Sequence, residues 1–211
     1  MNSIRILLAD DHAVVRQGFR AILAQQPDMQ IVGEAGNGRD VLKLAQETSP
    51  DVIVMDVAMP ELNGIEATRR LSTALPHARV LALSMHKDSV YVREMLKAGA
   101  RGYLLKDSVE HDLLEAVRIL ARGGEYISPA VQAALNSPYR MTATTPLDLL
   151  TSREREVLQL IAEGKTNKEV AVLLNISVFT VDAHRGRIME KLNVHNVNEL
   201  VRFAVRHGLV D

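Results

Sequence analysis

The 211-residue chain has no cysteine and no tryptophan, and aromatic residues make up only 3% of it. The absence of cysteine excludes disulfides, zinc sites with thiolate ligands and cysteine nucleophiles, and it fits a reducing compartment. No apolar run approaches the roughly 18 residues of a membrane span, and the first residues lack a signal-peptide pattern. We therefore expect a cytoplasmic protein with an aliphatic core and no membrane association.

The charge also lacks a dominant sign, because 25 Lys and Arg residues stand against 26 Asp and Glu residues. This balance argues against a surface that binds polyanions broadly, but it leaves a local basic patch open. Hydrophobic residues make up 47% and charged residues 24%, which excludes wholesale disorder. The length allows one large domain or two small ones.

Residues 1–122 alternate between short apolar runs and segments with helical spacing. Five of the runs have the character of buried strands: 4–9, 30–35, 52–55, 79–84 and 101–105. Continuous apolar strands that alternate with helices are typical of a parallel sheet covered by helices on both faces. The pattern predicts a doubly wound α/β domain with five parallel strands.

The pattern changes after residue 122. Residues 123–146 are rich in Gly, Pro, Ser and Thr, which predicts a linker, interrupted by a short helix over 129–135. Residues 147–211 have helical spacing only and predict a small all-α domain of four helices. Thr151 with Glu154, and Thr166 with Glu169, have the spacing of capping boxes at the start of the first two helices.

Polar residues follow four of the predicted strands, where each strand ends. Asp10 and Asp11 follow the first strand, Asp56 follows the third, Ser84 is the last residue of the fourth, and Lys106 follows the fifth. Parallel sheets bind ligands beyond these carboxyl ends, and three converging carboxylates need a cation such as Mg²⁺. A hydroxyl and an ammonium group opposite them would complement a phosphoryl group. Each residue alone could be a cap, a turn or a solvated side chain, but the combination favours phosphoryl transfer to a carboxylate.

The segments that carry these residues resemble the receiver domain of two-component signalling. The matching segments are 8–12, 56–64, 83–84 and 102–106. The resemblance implies a flavodoxin-like fold in which Asp56 accepts phosphate from a phosphohistidine of a sensor histidine kinase. It implies four ligands for Mg²⁺: Asp10, Asp11, Asp56 and the backbone carbonyl of Ala58. It also implies that Lys106 pairs with the phosphoryl group, that Ser84 donates a hydrogen bond to it, and that Tyr103 swings inward as the readout.

Residues 167–192 have the proportions of a helix-turn-helix, with a short helix, a turn and a longer helix. The helical period places Val181, His184 and Ile188 on the inner side of the longer helix. The outer side then carries short and charged residues, with Arg185 at the flank. Periodicity alone favours an ordinary helical bundle whose charges form a solvated face.

The same region resembles a LuxR-type DNA-binding domain, through segments 150–158, 164–171, 174–177 and 180–184. With the receiver in front, the whole chain resembles a response regulator of the NarL/FixJ family. The resemblance implies a recognition helix in the major groove, with three residues near the bases: Asp182, Ala183 and Gly186. It implies candidates on the phosphate side at Lys168, Thr180, Arg187 and Lys191, with Arg185 able to reach outward from the flank.

Two of these positions depart from the common pattern. Asp182 stands where this family often has lysine, and it either accepts a hydrogen bond from a cytosine amino group or lowers nonspecific affinity. Gly186 costs about 1 kcal/mol relative to alanine in mid-helix. It either permits close approach of DNA or is a tolerated weakness.

Together the two halves predict a transcription regulator that is switched by phosphorylation and is not an enzyme. The partners implied are promoter DNA, a sensor histidine kinase, a second copy of the chain on phosphorylation or DNA binding, and RNA polymerase. Two alternatives stay open at this point. One is a relay or adaptor receiver without sequence-specific DNA binding. The other is a Mg²⁺-dependent phosphohydrolase, although its D-x-D signature after the first strand is absent.

Overall fold

The computed structural model describes residues 3–85, 89–135 and 146–210. The chain divides into two compact units, Met1–Ser137 and Pro138–Asp211. Of the helices in the described residues, none is both long and apolar enough to cross a membrane.

The first unit is a parallel sheet with helices in its connections. The strands, in chain order, are β1 (Ile4–Ala9), β2 (Met29–Ala35), β3 (Val52–Asp56), β4 (Arg79–Ser84), β5 (Gly102–Leu105) and β6 (Tyr126–Ile127). The helices are α1 (Ala13–Ala24), α2 (Gly38–Thr48), α3 (Gly64–Ala74), α4 (Ser89–Ala98), α5 (Val109–Ala121) and α6 (Pro129–Leu135). The spatial order is β2-β1-β3-β4-β5-β6, and every neighbouring pair is parallel. The doubly wound parallel sheet predicted from the sequence is therefore confirmed.

The sheet is buried on both faces, which explains why its strands lack an alternating polar pattern. Leu7, Ile53 and Tyr103 belong to the core on one face. Ile6 and Leu8 belong to the core on the other face. Consecutive residues of β1 thus enter opposite cores, as the period of two in a strand requires.

The structure corrects the predicted number of strands, because the part of the chain that it describes forms a sheet of six strands instead of five. In β6, Tyr126 pairs with Gly102 and Ile127 pairs with Tyr103, at the edge of the sheet beyond β5. A strand of two residues is too short to show a hydrophobic period. This strand lies within the segment 123–146, which was predicted as a linker. Both β6 and α6 lie within the first compact unit, whereas residues 136–145 lie outside the described residues.

The described residues of the second unit contain four α-helices, as predicted, preceded by one turn of 3-10 helix over Pro146–Leu149. They are α7 (Ser152–Ala162), α8 (Asn167–Leu174), α9 (Val178–Leu192) and α10 (Val197–Arg206). Aliphatic side chains from all four helices form one core, which contains Val157, Val170, Val181, Ile188 and Leu200.

The sequence also sets where these helices start and stop. Both predicted capping boxes are confirmed, with Thr151 at the start of α7 and Thr166 at the start of α8. Asn175 ends α8 in the left-handed conformation, at a φ of 51°. The Ser177 hydroxyl then accepts a hydrogen bond from the Thr180 backbone N–H at 3.0 Å and so starts α9. These two local signals produce the turn between α8 and α9.

Candidate functional site

An acidic cluster lies at the carboxyl ends of β1 and β3. Asp10 is only 1% exposed and Asp56 only 4% exposed. Asp10 follows β1 and Asp56 is the last residue of β3, and these two strands are neighbours in the sheet. One ligand atom from each of Asp10, Asp11, His12 and Asp56 can be chosen so that all four atoms lie within 4.8 Å of one another. The structure therefore brings together the three carboxylates predicted from the strand ends.

Lys106 joins the two buried carboxylates. Its Nζ lies 2.7 Å from Asp56 Oδ2, to which it donates a hydrogen bond, and 2.7 Å from Asp10 Oδ2. Burial lowers the pKa of Lys106, but the bonds to Asp10 and Asp56 outweigh this effect and raise its pKa overall. The ammonium group therefore stays charged, as the prediction of an ion-pairing lysine requires.

The carboxyl group of Asp56 has a raised pKa. Burial raises its pKa to about 6, against the lowering effect of Lys106, and repulsion from Asp10 contributes to the rise. Among the described residues, one ammonium group thus stands beside three carboxylates, of which it pairs with Asp10 and Asp56, and the cluster keeps an excess of negative charge. Such a set of oxygen ligands with uncompensated negative charge fits a hard divalent cation.

The loop after β3 carries Ala58, whose backbone carbonyl was predicted as a ligand. Ala58 is half-buried in this loop, directly after Asp56 and Val57. The loop folds back tightly, because the Gly64 N–H donates to the Val57 carbonyl at 2.9 Å. A Cβ atom at Gly64 would lie 2.0 Å from the Asp56 carbonyl oxygen, so only glycine permits this close approach. The start of α3 thereby fixes the backbone of Asp56.

Ser84 and Tyr103 lie on β4 and β5. Ser84 is buried as the last residue of β4, and Tyr103 is fully buried in the sheet core beside α4 and α6. Ala82, two residues before Ser84, is the register partner of Tyr103. The tyrosine ring thus already occupies an interior position in this structure.

His12 belongs to the cluster, although the sequence reading gave it no role. Its Nδ1 lies 2.8 Å from Asp11 Oδ1 and 3.4 Å from Asp10 Oδ1. Its backbone N–H donates to Asp10 Oδ1 at 2.9 Å, which orients the Asp10 carboxylate. The position directly after two acids at a strand end was the available signal for this histidine.

The second unit presents one face of α9 to solvent. Val181 and Ile188 are buried and His184 is half-buried, so the inner side has the predicted register. The residues predicted to contact DNA are exposed at Lys168, Asp182, Ala183, Gly186, Arg187 and Lys191, and half-buried at Thr180 and Arg185.

Lys191 and Asp182 each bond to a residue of another helix in the second unit. Lys191 Nζ donates to Glu154 Oε2 at 2.7 Å, which ties the end of α9 to the capping box of α7. Burial raises the pKa of Glu154, but hydrogen bonds from Lys191 and Thr151 outweigh it and lower the pKa overall. Asp182 Oδ1 accepts a hydrogen bond from Asn167 Nδ2 at 2.5 Å, which joins α9 to the first residue of α8. The sequence analysis did not pair Asn167 with Asp182 or Glu154 with Lys191, because only the packing of the helices makes these residues neighbours.

Phe179 is a further residue that the sequence analysis missed. It is the second residue of α9, and its side chain is 83% exposed. The sequence could have indicated it, because helical spacing places this aromatic residue on the side of α9 opposite to Val181 and Ile188.

The sequence models of two known protein families match this chain. "Response regulator receiver domain" matches residues 6–118, and "Bacterial regulatory proteins, luxR family" matches residues 148–204. The chain is 43% identical over 215 residues to the uncharacterized transcriptional regulatory protein YxjL of Bacillus subtilis (strain 168), covering 99% of this chain and 98% of that protein. It is 39% identical over 226 residues to the transcriptional regulatory protein DegU of Brevibacillus brevis, covering 99% and 96%.

A solved structure of the two-component response regulator RcsB in complex with DNA is also similar. It shares 26% sequence identity with this chain at a TM-score of 0.61, over 97% of this chain and 98% of that one. The similarity thus extends over both units of the chain.

Proposed function

Because the chain belongs to the two-component response regulators, with a receiver unit followed by a LuxR-type DNA-binding unit, we propose that Asp56 accepts the phosphoryl group. The observation that carries this proposal is the position of Lys106, whose Nζ lies 2.7 Å from both Asp56 and Asp10. An ammonium group held at this distance is in place to pair with a phosphoryl oxygen on Asp56.

The protonation state of Asp56 suits a nucleophile. With its pKa raised to about 6 by burial, the carboxylate is mostly ionised near pH 7. One of its oxygens attacks the phosphorus of a phosphohistidine on a sensor histidine kinase. The P–N bond breaks as the new P–O bond forms, and the imidazole leaving group takes up a proton.

We place Mg²⁺ between Asp10, Asp11, Asp56 and the backbone carbonyl of Ala58. The charge of the cluster supports this assignment, because three carboxylates lie together and the single ammonium group of Lys106 pairs with Asp10 and Asp56. When bound, the ion would offset the negative charge of the carboxylates and of the phosphoryl oxygens. Ser84, at the end of β4, would donate a hydrogen bond to a phosphoryl oxygen, and the buried Tyr103 would serve as the conformational readout.

Phosphorylation of the receiver unit then controls promoter binding by the second unit in the cytoplasm. The LuxR-family match over residues 148–204 sets aside an adaptor without a DNA-binding domain. We assign α9 to the major groove of duplex DNA and expect two copies of the chain to bind a two-part site. Val197 and Val205 on α10 remain partly exposed and offer apolar surface for contact with the second copy. RNA polymerase is the further partner that we expect at a promoter.

A genomic DNA selection tests this proposal. Wild-type protein and Asp56→Ala are compared with and without acetyl phosphate as a small phosphodonor, in the presence of Mg²⁺. We expect the donor to strengthen enrichment of one sequence by wild type and to add one phosphoryl group to its intact mass. Neither change should occur in Asp56→Ala.

Glu47→Ala, which removes an exposed carboxylate on α2, is the matched control and should respond to the donor as wild type does. Phosphorylation of Asp56→Ala at wild-type level would assign the phosphoryl group to another residue. Enrichment that ignores the donor in every variant would refute the coupling between the units.

A further inference from the structure

The longer helix of the helix-turn-helix carries an exposed aromatic side chain near its start. Phe179 is 83% exposed, while the Val181 and Ile188 side chains of the same helix are fully buried in the core of the second unit. At 100° per residue, Phe179 lies about 160° from Val181 and about 180° from Ile188 around the helix axis. The ring therefore leaves the helix on the side opposite to the core.

The residues next to Phe179 on that side of the helix have small side chains. Ala183 and Gly186 lie within about 40° of Phe179 around the axis, and both are exposed. A Cβ atom at Gly186 would meet nothing within 4 Å, so the packing of this unit does not require glycine there. These two small residues form a flat surface, and the ring of Phe179 projects at one end of it. The base edges in the major groove of DNA can therefore approach this side of the helix closely.

The chemistry of the ring limits what it can recognise on DNA. A phenyl ring has no hydrogen-bonding group and no charge, so neither a phosphate nor a polar base edge can pair with it. The one apolar group that bases present in the major groove is the 5-methyl of thymine. Asp182, one turn along the same side of the helix, carries a negative charge that further disfavours a phosphate at this point.

We propose that Phe179 is a specificity-determining residue that reads the 5-methyl group of a thymine in each half of the DNA site. This assignment rests on the DNA-binding function of the second unit. The position continues the outer face of α9, which is the surface that the function already assigns to the major groove. Phe179 thus contributes sequence preference by apolar contact, whereas the basic residues contribute affinity.

The test uses full-length protein and the duplex site obtained by selection with wild type. Each thymine is replaced in turn by deoxyuridine, which removes only the 5-methyl group, and binding is measured by fluorescence anisotropy. Wild type should lose affinity by about fourfold at one thymine of each half-site, the factor expected for one buried methyl-sized group. Phe179→Ala should bind the thymine and deoxyuridine duplexes equally at that position.

Two further variants separate this contact from a general effect. Val172→Ala truncates an apolar side chain on α8 that is 81% exposed, and it should retain the full penalty for deoxyuridine. Phe179→Leu should retain part of the penalty, because leucine still offers apolar contact. Circular dichroism should show unchanged folding in all three variants, since these side chains project into solvent.

Several outcomes would overturn the proposal. They are a deoxyuridine scan without effect in wild type, a penalty that persists in Phe179→Ala, and a selected site without a recurring thymine. Normal DNA recognition by Phe179→Ala combined with loss of transcription would assign the ring to a protein partner instead. Failure of wild type to select any sequence would refute the DNA-binding function itself, and so is distinguishable from failure of the methyl contact.

Discussion

Replacing Asp56 by asparagine should stabilise the first unit when metal is removed by a chelator. Burial raises the pKa of Asp56 from its ordinary 3.8 to about 6, so the ionised side chain destabilises the folded state. A difference of about 2 pKa units corresponds to about 3 kcal/mol. Asparagine has the same shape without the charge, and Lys106 keeps its second partner, Asp10, at 2.7 Å. We therefore expect the unit to gain up to about 3 kcal/mol at pH 7.5.

The gain should depend on pH in a defined direction. Above pH 6 the carboxylate is ionised in both the folded and the unfolded chain, so wild type bears the full cost. Between pH 6 and pH 3.8 the folded chain binds the proton first, and the difference between wild type and variant shrinks as the pH falls. The advantage of Asp56→Asn should therefore be smaller at pH 5 and should vanish near pH 3.8, the ordinary pKa of the carboxyl group.

Urea unfolding with a near-ultraviolet circular dichroism signal measures this difference. The chain has no tryptophan, and three of its four tyrosines, Tyr91, Tyr103 and Tyr126, lie in the first unit, so most of the tyrosine signal reports on that unit. Glu47→Gln is the control for loss of an exposed negative charge and should change stability little. Adding Mg²⁺ at pH 7.5 should stabilise wild type more than Asp56→Asn. A stability difference that is equal at pH 7.5 and pH 5, or of opposite sign, would refute the argument from burial.

Four further substitutions test the second unit. Gly186→Ala should stabilise it by about 1 kcal/mol, because a Cβ atom there meets nothing within 4 Å, yet it should weaken DNA binding if close approach matters. Lys191→Met should destabilise it by about 1–3 kcal/mol in thermal unfolding, because the buried Glu154 loses a charged donor. That loss should be greatest above pH 4.5 and should fade as acid protonates Glu154, whose folded pKa is lowered. Asp182→Ala should cost affinity at one C·G pair across operator variants if it reads cytosine, and a uniform change would exclude base reading. Asn167→Ala should give a weaker form of the same change, since it removes only the donor to Asp182.

The sheet could be predicted well because short apolar runs alternate with helical segments several times along the chain. The observed bounds Ile4–Ala9 and Arg79–Ser84 equal the predicted ones, since every residue that enters a core on either face must be apolar. The edge strand Tyr126–Ile127 could not be predicted, because two residues in a Gly-rich segment carry no period. Its place in the sheet depends on pairing with β5, which is a tertiary contact.

The acidic cluster was predictable for a topological reason. Parallel strands bring all their carboxyl ends to one edge, so residues far apart in the chain, such as Asp10 and Asp56, had to meet there. Their strengths as acids could not be predicted from the sequence. The raised pKa of Asp56 depends on how deeply the side chain is buried and on where the flexible Lys106 side chain ends, 50 residues further along the chain.

In the helix-turn-helix, the residues that face the core could be predicted from the sequence, but the bonds made by the outer residues could not. The helical period predicted which side of α9 faces the core. It does not show whether a polar residue on the outer side contacts DNA or bonds to another helix of the same unit. Lys191 is bonded to Glu154, and Asp182 is bonded to Asn167. Residues 147–211 contain nine basic and nine acidic residues, so each basic side chain held internally leaves less positive charge for phosphates. In such a domain we expect apolar contact along α9 to add to the attraction between charges, and the exposed ring of Phe179 is the source of that contact that we propose.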